Sequence, residues 1–431
     1  MTTTLHPVQS PAGTGIAQEL ARGLEPVVGG ELPVRLRAWD GSEAGPVDAP
    51  LVEIRSADAL RRIFWHPGEL GAAQAYVTGE LEVHHDLDDA LTHVWEVVRQ
   101  RGLDGRPGLT ALARALGTAA RAGALGRPPA PPATQARVRG RLHSKLRDRA
   151  AISHHYDLSN EFYGLILDET MAYSSAYWRK APGTTGYTLA DAQRDKLSLI
   201  CHKLGLEPGM TLLDVGCGWG SLSLHAAETF GAHVTGVTIS AEQKAYIDEQ
   251  VRQRGLEDRV TILLQDYREV VGRWDAVASV EMGEHVGQAN YPEYAAVLAG
   301  SVRRGGRVLV QQMSRRGRHP GGGPFIESFI APDMHMRPVG ATVDLIEGSG
   351  LEVRDVHALR EHYVWTVDAW IDNFTEHRAA LRDLVGEEAM RVWELYLVGG
   401  RMAFRDGRMG VDQILAVRPG EPHDLPPVRS W

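Results

Sequence analysis

The densest chemical signal in this chain is Asp214-Val215-Gly216-Cys217-Gly218-Trp219-Gly220. It lies between MTLLDVG, which reads as a buried strand, and SLSLHAAETFG, which reads as a helix. Glycine permits positive φ and lets a ligand approach the backbone. Such a turn at the carboxyl end of a strand is a general place for a nucleotide-like cofactor. A nicotinamide dinucleotide would ask for GxGxxG and an acid about 20 residues on, to hold the ribose. Here the second strand ends Gly236-Val237-Thr238-Ile239-Ser240 with no acid at its tip. Asp214, two residues before the first glycine, instead suits a turn organised around the amino-acid end of S-adenosylmethionine. The glycines taken singly also fit a tight turn that holds no ligand.

The elements around this turn alternate. LADAQRDKLSLICHKLGL, SLSLHAAETFG and AEQKAYIDEQVRQRG have helical spacing, the last two closed by Gly231 and Gly255. MTLLDVG, HVTGVTIS, VTILLQD, WDAVASV and GRVLVQQ read as apolar strands. Helices alternating with buried strands predict an α/β fold with a mainly parallel sheet covered on both faces. We expect that domain, with a helical elaboration, over residues 151–431. In GRPPAPPATQ four prolines stand within five residues, which favours an extended spacer. A basic, Pro-rich linker is expected over 126–150. Upstream, PVRLRAWDG and LVEIRS alternate like strands, and ADALRRIFWHP and LDDALTHVWEVVRQ are spaced like helices. They predict a small α+β accessory domain over 1–125.

Composition narrows the function. Hydrophobic residues make up 43% of the 431 and charged residues 23%, which excludes a disordered or fibrous chain. Cys201 and Cys217 stand alone, so neither a disulfide framework nor a zinc site is expected, and a reducing cytoplasm fits. No metal site is expected. No apolar run reaches the ~18 residues of a membrane span, and no secretory signal is seen. The chain is acidic overall, with 46 basic and 55 acidic side chains. Residues 101–150 nevertheless carry ten Arg and Lys145 against Asp104 and Asp148, a block of +9. Such a block suits an anionic membrane surface or a solvated Arg-rich linker. Nucleic acid is not expected, because no aromatic residues interleave with the arginines.

Several motifs beyond the turn resemble the cyclopropane fatty acid synthase family. They are Thr238-Ile239-Ser240 with Gln243, Glu281-Met282-Gly283-Glu284-His285-Val286-Gly287, and His155-Tyr156-Asp157-Leu158-Ser159-Asn160. Tyr173-Ser174-Ser175-Ala176-Tyr177-Trp178 and Ala192-Gln193 with Lys196 complete the set. They occur in the family's order over about residues 150–415. The N-terminal part is similar to the accessory domain of the phospholipid-acting members. The resemblance implies a Rossmann-like class I methyltransferase that uses S-adenosylmethionine on the double bond of an unsaturated acyl chain. It implies cofactor contacts at Tyr173, Ser174, Asp214, Gly216, Gly218, Thr238 and Gln243, with Asp266 and Tyr267 flanking the adenine.

In the family a bicarbonate ion is associated with proton removal, held by a Cys, a Glu, a His, a Tyr and a backbone group. The Glu matches Glu284 and the Tyr matches Tyr363, but Ser175 stands at the Cys position and Gln311 at the His position. These departures put the bicarbonate site in doubt. Glu169, where the family usually has Pro, is either a replacement base or a solvated loop residue. Tyr363, Trp365 and Trp370 offer aromatic faces to a carbocation, or serve as core. Direct loss of a proton from the added carbon closes a cyclopropane. A preceding hydride shift leaves a methylene branch, the 10-methylene type, which a separate flavin-dependent reductase saturates in some relatives. The methylene product is our expectation and the cyclopropane its alternative. A non-catalytic lipid-binding protein is the alternative of another class. A homo-oligomer, peripheral on the cytoplasmic face of the membrane, is expected.

Overall fold

Alternating helix and strand build one seven-stranded sheet in the computed structural model, which describes residues 15–102, 113, 117–136, 158–316 and 321–429. The chain divides into two units, Met1–Ala133 and Thr134–Trp431. The division falls inside the proline-rich stretch. Much of the basic block, and His155-Tyr156-Asp157, lie outside the described residues.

The first unit contains α1 (Ile16–Leu24), β1 (Arg35–Ala38), β2 (Glu43–Ala44), β3 (Leu51–Ile54), α2 (Ala57–Trp65), α3 (Glu69–Val77), β4 (Leu81–Val83) and α4 (Leu87–Gln100). Its sheet has the order β2-β1-β3-β4, with β1 and β3 parallel. Period-2 alternation sends Leu36 and Ala38 into a small core with Leu20, Ile54 and Leu60, while Arg37 reaches Glu43 at 2.7 Å. The Ser56 hydroxyl caps α2 and the Asp86 carboxylate caps α4.

The second unit contains α5 (Asn160–Ile166), α6 (Leu189–Leu204), β5 (Thr211–Val215), α7 (Ser221–Phe230), β6 (His233–Thr238), α8 (Ala241–Gln253), β7 (Val260–Leu264) and β8 (Trp274–Val280). After them come α9 (Tyr291–Ser301), β9 (Val302–Arg315), α10 (Pro324–Phe329), α11 (Val339–Gly348), β10 (Glu352–Ala358), α12 (Arg360–Glu376), α13 (Arg378–Arg405) and β11 (Met409–Val417). The strand order is β10-β11-β9-β8-β5-β6-β7. Only β11 runs against its neighbours. Adjacent strand residues point to opposite faces, so Leu212 packs with Leu197 and Ile247 while Leu213 packs with Tyr291 and Leu298. Burying a leucine fully contributes about 1.5–3 kcal/mol, and both are fully buried. Helix α6 starts at a Thr188–Asp191 capping box and stops at Gly205, which is left-handed.

From β5 the chain winds outward through β6 and β7, then returns to lay β8 on the other side of β5. The sheet's order reverses there, and in such folds the crevice for a ligand opens at the carboxyl ends of those strands. Helices α5, α12 and α13 supply a separate aromatic core that includes Phe162, Tyr163, Trp370, Trp393 and Phe404. This is the helical elaboration that the sequence predicts.

Candidate active site

The nine residues expected to touch the cofactor all line one cavity at the carboxyl ends of β5, β6 and β7. The turn after β5 is tied down by its own backbone. The amides of Gly216 and Cys217 both donate to the carbonyl of Val237, at 3.0 and 3.1 Å. Gly216 has φ +79° and Gly218 φ +52°. A Cβ on Gly216 would meet the Met282 side chain at 2.6 Å, whereas one on Gly218 would meet nothing within 4 Å. Gly216 therefore permits close packing, and Gly218 keeps open a space that a ligand can fill.

The polar groups around that space suit S-adenosylmethionine. Asp214 is buried and accepts from the Ser223 hydroxyl at 2.8 Å. Burial pushes its carboxyl up to about 6, opposed by that hydrogen bond and by Lys196. A ligand ammonium beside it would relieve the desolvation. At the tip of β6 the Thr238 hydroxyl donates to Gln243 Oε1 at 2.8 Å, so neutral groups line the place where a dinucleotide site would put an acid. Asp266 holds the Arg268 guanidinium in a two-point contact of 2.7 and 2.9 Å, and that guanidinium stands 5.1 Å from the Tyr267 ring centre. Ser174 accepts from Lys196 Nζ at 2.9 Å, and Gln193 donates to the carbonyls of Ala172 and Ser174. Burial pulls Lys196 down to about 8, resisted by Glu281, Asp168 and Asp214.

A second cluster meets the cavity at the end of β8. Its centre is Glu281, which lines the cavity. Glu281 Oε1 accepts from the Ser175 amide at 2.9 Å and from Gln311 Nε2 at 2.8 Å; Oε2 accepts from the Tyr363 hydroxyl at 2.8 Å. Gln311 is itself oriented, because its Oε1 accepts from Gln413 Nε2 at 2.9 Å across the β9–β11 pair. Glu281 also has φ +50°, which a non-glycine residue adopts at an energetic cost. Burial raises its carboxyl above the usual range, against the three hydrogen bonds and the charge of Lys196.

Three expectations change here. Ser175 reaches the cluster through its backbone amide, while its hydroxyl donates to the Ala176 carbonyl at 3.1 Å. Glu284 is fully buried but does not line the cavity. It accepts from the Met313 amide, and desolvation followed by repulsion from Glu281 pushes it up to about 8, so it is mostly protonated at neutral pH. Glu169 is not brought to the cluster. Its side chain is 68% exposed and paired with Arg194. That place suits a surface ion pair and not a base beside a buried alkene.

Glu281 opens the Glu281–Gly287 motif but is not among the site residues that the resemblance implies. Its position was the available signal: it is the residue that immediately follows β8, beside the reversal of the sheet.

The aromatic cluster reaches the cavity through Tyr173 and Trp219. The Tyr163 ring lies 4.6 Å from Trp219, and Tyr173 lies 5.4 Å from Trp370. Tyr363 is stacked on Phe404 at 4.3 Å and stands edge-on to Trp370. The Tyr173 hydroxyl donates to Tyr396 at 2.8 Å. Trp365 packs against the same core and makes its ring contacts with Trp178 and His362.

Known proteins are similar to this chain. Residues 143–414 match the family described as Mycolic acid cyclopropane synthetase. A "Probable fatty acid methyltransferase" of Pseudomonas putida is 38% identical over 412 residues, covering 93% of this chain and 96% of the relative. "Tuberculostearic acid methyltransferase UfaA1" of Mycobacterium tuberculosis is 34% identical over 407 residues, 91% of this chain and 89% of the relative. The solved structure of mycolic acid cyclopropane synthase CmaA1 with S-adenosylhomocysteine and CTAB superposes with a TM-score of 0.58 at 30% identity, covering 62% of this chain and 98% of that one. The sheet order, the cavity and these matches agree: the chain is an S-adenosylmethionine-dependent methyltransferase and belongs to the mycolic acid cyclopropane synthetase family.

Proposed function

We propose that this enzyme methylates the double bond of an unsaturated fatty acyl chain in a phospholipid and leaves a methylene branch on it. The observation that carries this reading is the meeting of a buried aromatic cluster and a polar cluster at one wall of the cofactor cavity. S-Adenosylmethionine supplies, when bound, an electrophilic methyl on a sulfonium. An alkene is a weak nucleophile and needs positioning away from water. The aromatic faces of Tyr173 and Trp219 and the carboxylate of Glu281, which all line the cavity, suit the positive charge that then develops on the acyl chain. The polar cluster supports the methylene outcome, because Ser175 and Gln311 replace the Cys and His of the ring-forming pattern.

The same reading assigns the first unit a role at the lipid surface. Trp39, Trp65 and Trp95 there keep 37%, 47% and 45% of their surface exposed, and tryptophan favours the membrane interface. No helix among the described residues is long and apolar enough to cross a membrane. An anionic inner membrane face is then the surface that the basic block at 101–150 would meet. A homo-oligomer and a separate flavin-dependent reductase acting on the methylene product complete the proposal.

The test is incubation with labelled S-adenosylmethionine and vesicles of a monounsaturated phospholipid. We expect label in the acyl chains, with a mass gain of one CH2. Label confined to head groups, or no transfer to lipid, would overturn the reading. Co-sedimentation with anionic vesicles should weaken as salt rises, since each basic side chain near the surface contributes about 1 kcal/mol that salt screens. Equal binding to neutral and anionic vesicles at every salt concentration would remove the electrostatic part.

A further inference from the structure

We propose that the carboxylate of Glu281 is the proton acceptor of the reaction, and that it fills the place which the resemblance gives to bicarbonate. This rests on the acyl-methylation reading above and adds the group that ends the reaction.

An anion bound in this cluster would need the donors that face it: the Ser175 amide, the Gln311 amide group and the Tyr363 hydroxyl. All three already point at one carboxylate that belongs to the chain. The side chain that remains of the anticipated set, Glu284, gives its Oε1 to the Met313 amide, and its Oε2 finds no hydrogen-bond partner. A second anion would therefore find these three donors already engaged by the Glu281 carboxylate, and Glu284 does not line the cavity. The residues do not fit a bound bicarbonate.

Three further observations give Glu281 a catalytic place. It lines the same cavity as Ser174, Asp214 and Gly218, so its side chain borders the space that the cofactor fills. Its backbone is held at φ +50°, and strain of that kind persists where the surroundings over-determine a functional geometry. Its orientation is fixed from two elements, by Tyr363 on α12 and by Gln311 on β9, the latter aimed by Gln413 on β11. A base held this way needs no reorganisation when positive charge appears beside it.

The step balances with no further reactant. The alkene π pair would form the bond to the methyl carbon as the methyl–sulfur bond breaks, that bond's electron pair leaving on the sulfur of S-adenosylhomocysteine, and the cation is left on the neighbouring carbon. A hydride moves from the methylated carbon to that neighbour and carries the charge back. One C–H bond of the added carbon then breaks. Its electron pair becomes the second bond of the exocyclic C=C, and the proton goes to a Glu281 oxygen. Without the hydride shift, the same proton loss would close a ring. The identity of the acceptor and the identity of the product are thus separate questions.

The test uses the full chain with two variants. Glu281→Gln keeps the side chain's size and removes its basicity. Glu281→Gly opens a space and adopts φ +50° without strain. Wild-type turnover should be unchanged in carbon-dioxide-free buffer, and carbon-13 bicarbonate should show no binding to the wild type by NMR. Glu281→Gln should turn over about 10²–10⁴-fold more slowly, the usual contribution of a general base, with unchanged affinity for S-adenosylhomocysteine. Glu281→Gly should bind carbon-13 bicarbonate and regain part of its turnover when bicarbonate is added. A wild type that loses activity without bicarbonate, or a Glu281→Gln variant as fast as the wild type, would overturn the proposal. A bicarbonate-independent wild type with an inactive Glu281→Gln variant and a ring in the lipid would uphold the proton acceptor and reject the methylene reading.

Discussion

The turn after β5 and the cluster after β8 border the same cavity, but they are built in different ways. The turn is a backbone device. Two glycines at positive φ, two amides locked on the Val237 carbonyl and the buried Asp214 shape it. The cluster after β8 is a side-chain device. There Ser175 and Gln311 depart from the anticipated Cys and His, and Glu281 gathers the donors. Backbone geometry tolerates few substitutions, so the cofactor half of such a site stays recognisable. A hydrogen-bonded side-chain cluster can exchange one anion for another while keeping its donors, so that half is where the chemistry of relatives can diverge.

Breaking the first half should have the largest effect. Gly218→Val would place a branched side chain in the open space of the cavity and strain a backbone at φ +52°. We expect S-adenosylhomocysteine binding to disappear by calorimetry while the circular dichroism spectrum stays native. Retained affinity in a folded variant would move the cofactor elsewhere.

The second half should respond more gently to loss of one donor. Tyr363→Phe removes the hydroxyl that holds Glu281 Oε2. A hydrogen bond to a charged group contributes about 1.5–3 kcal/mol, so turnover should fall by about 10- to 100-fold with cofactor affinity intact. Unchanged turnover would mean that Tyr363 does not position the carboxylate. Wild-type activity should also have an acid limb above the usual glutamate range, because Glu281 must be ionised and burial raises it, against the hydrogen bonds from Ser175, Gln311 and Tyr363 and the charge of Lys196.

Glu284 sharpens the comparison through stability. Its folded-state value is pushed up to about 8 from 4.5, so the folded state binds the extra proton. The stability it contributes is complete below about 4.5 and is lost as pH rises toward and through 8. The melting temperature of Glu284→Gln should therefore fall less than that of the wild type between pH 6 and pH 9. An equal fall in both proteins would contradict a protonated Glu284. The smallest effect is expected at Glu169, whose exposed pair with Arg194 belongs to a class worth about 0–1 kcal/mol. Glu169→Gln should keep wild-type turnover and nearly wild-type stability; a large loss of turnover would return that residue to the reaction.

Much of the scaffold was legible because its signals are local. The apolar runs of β5, β6, β7 and β8 and the closing glycines of α7 and α8 mark those elements within a residue or two. Strand β9 extends to Val302–Arg315, beyond GRVLVQQ at both ends, because Val302 pairs with Trp274 of β8 ahead of a register shift and β11 pairs with Arg307–Arg315, partners that the local charged run Val302-Arg303-Arg304 does not show. Strand β10 alternates exposed and half-buried residues at the sheet edge, a weak pattern for any local reading. The site divided similarly. Gly216, Thr238 and Asp266 were implied by the resemblance, at or just beyond the ends of strands that the apolar runs mark. Glu281 was not, and its donors come from residues 175, 311 and 363, which only the fold brings together.

The central claim is that a carboxylate of the chain ends the reaction and that a methylene branch results. The most direct measurement is proton NMR of the lipid made by the wild-type enzyme from a monounsaturated phospholipid in carbon-dioxide-free buffer. The two possible products have equal mass, so the spectrum decides between them. Vinylic methylene resonances at full turnover are the predicted result. Upfield ring protons, or no product until bicarbonate is restored, would contradict the account.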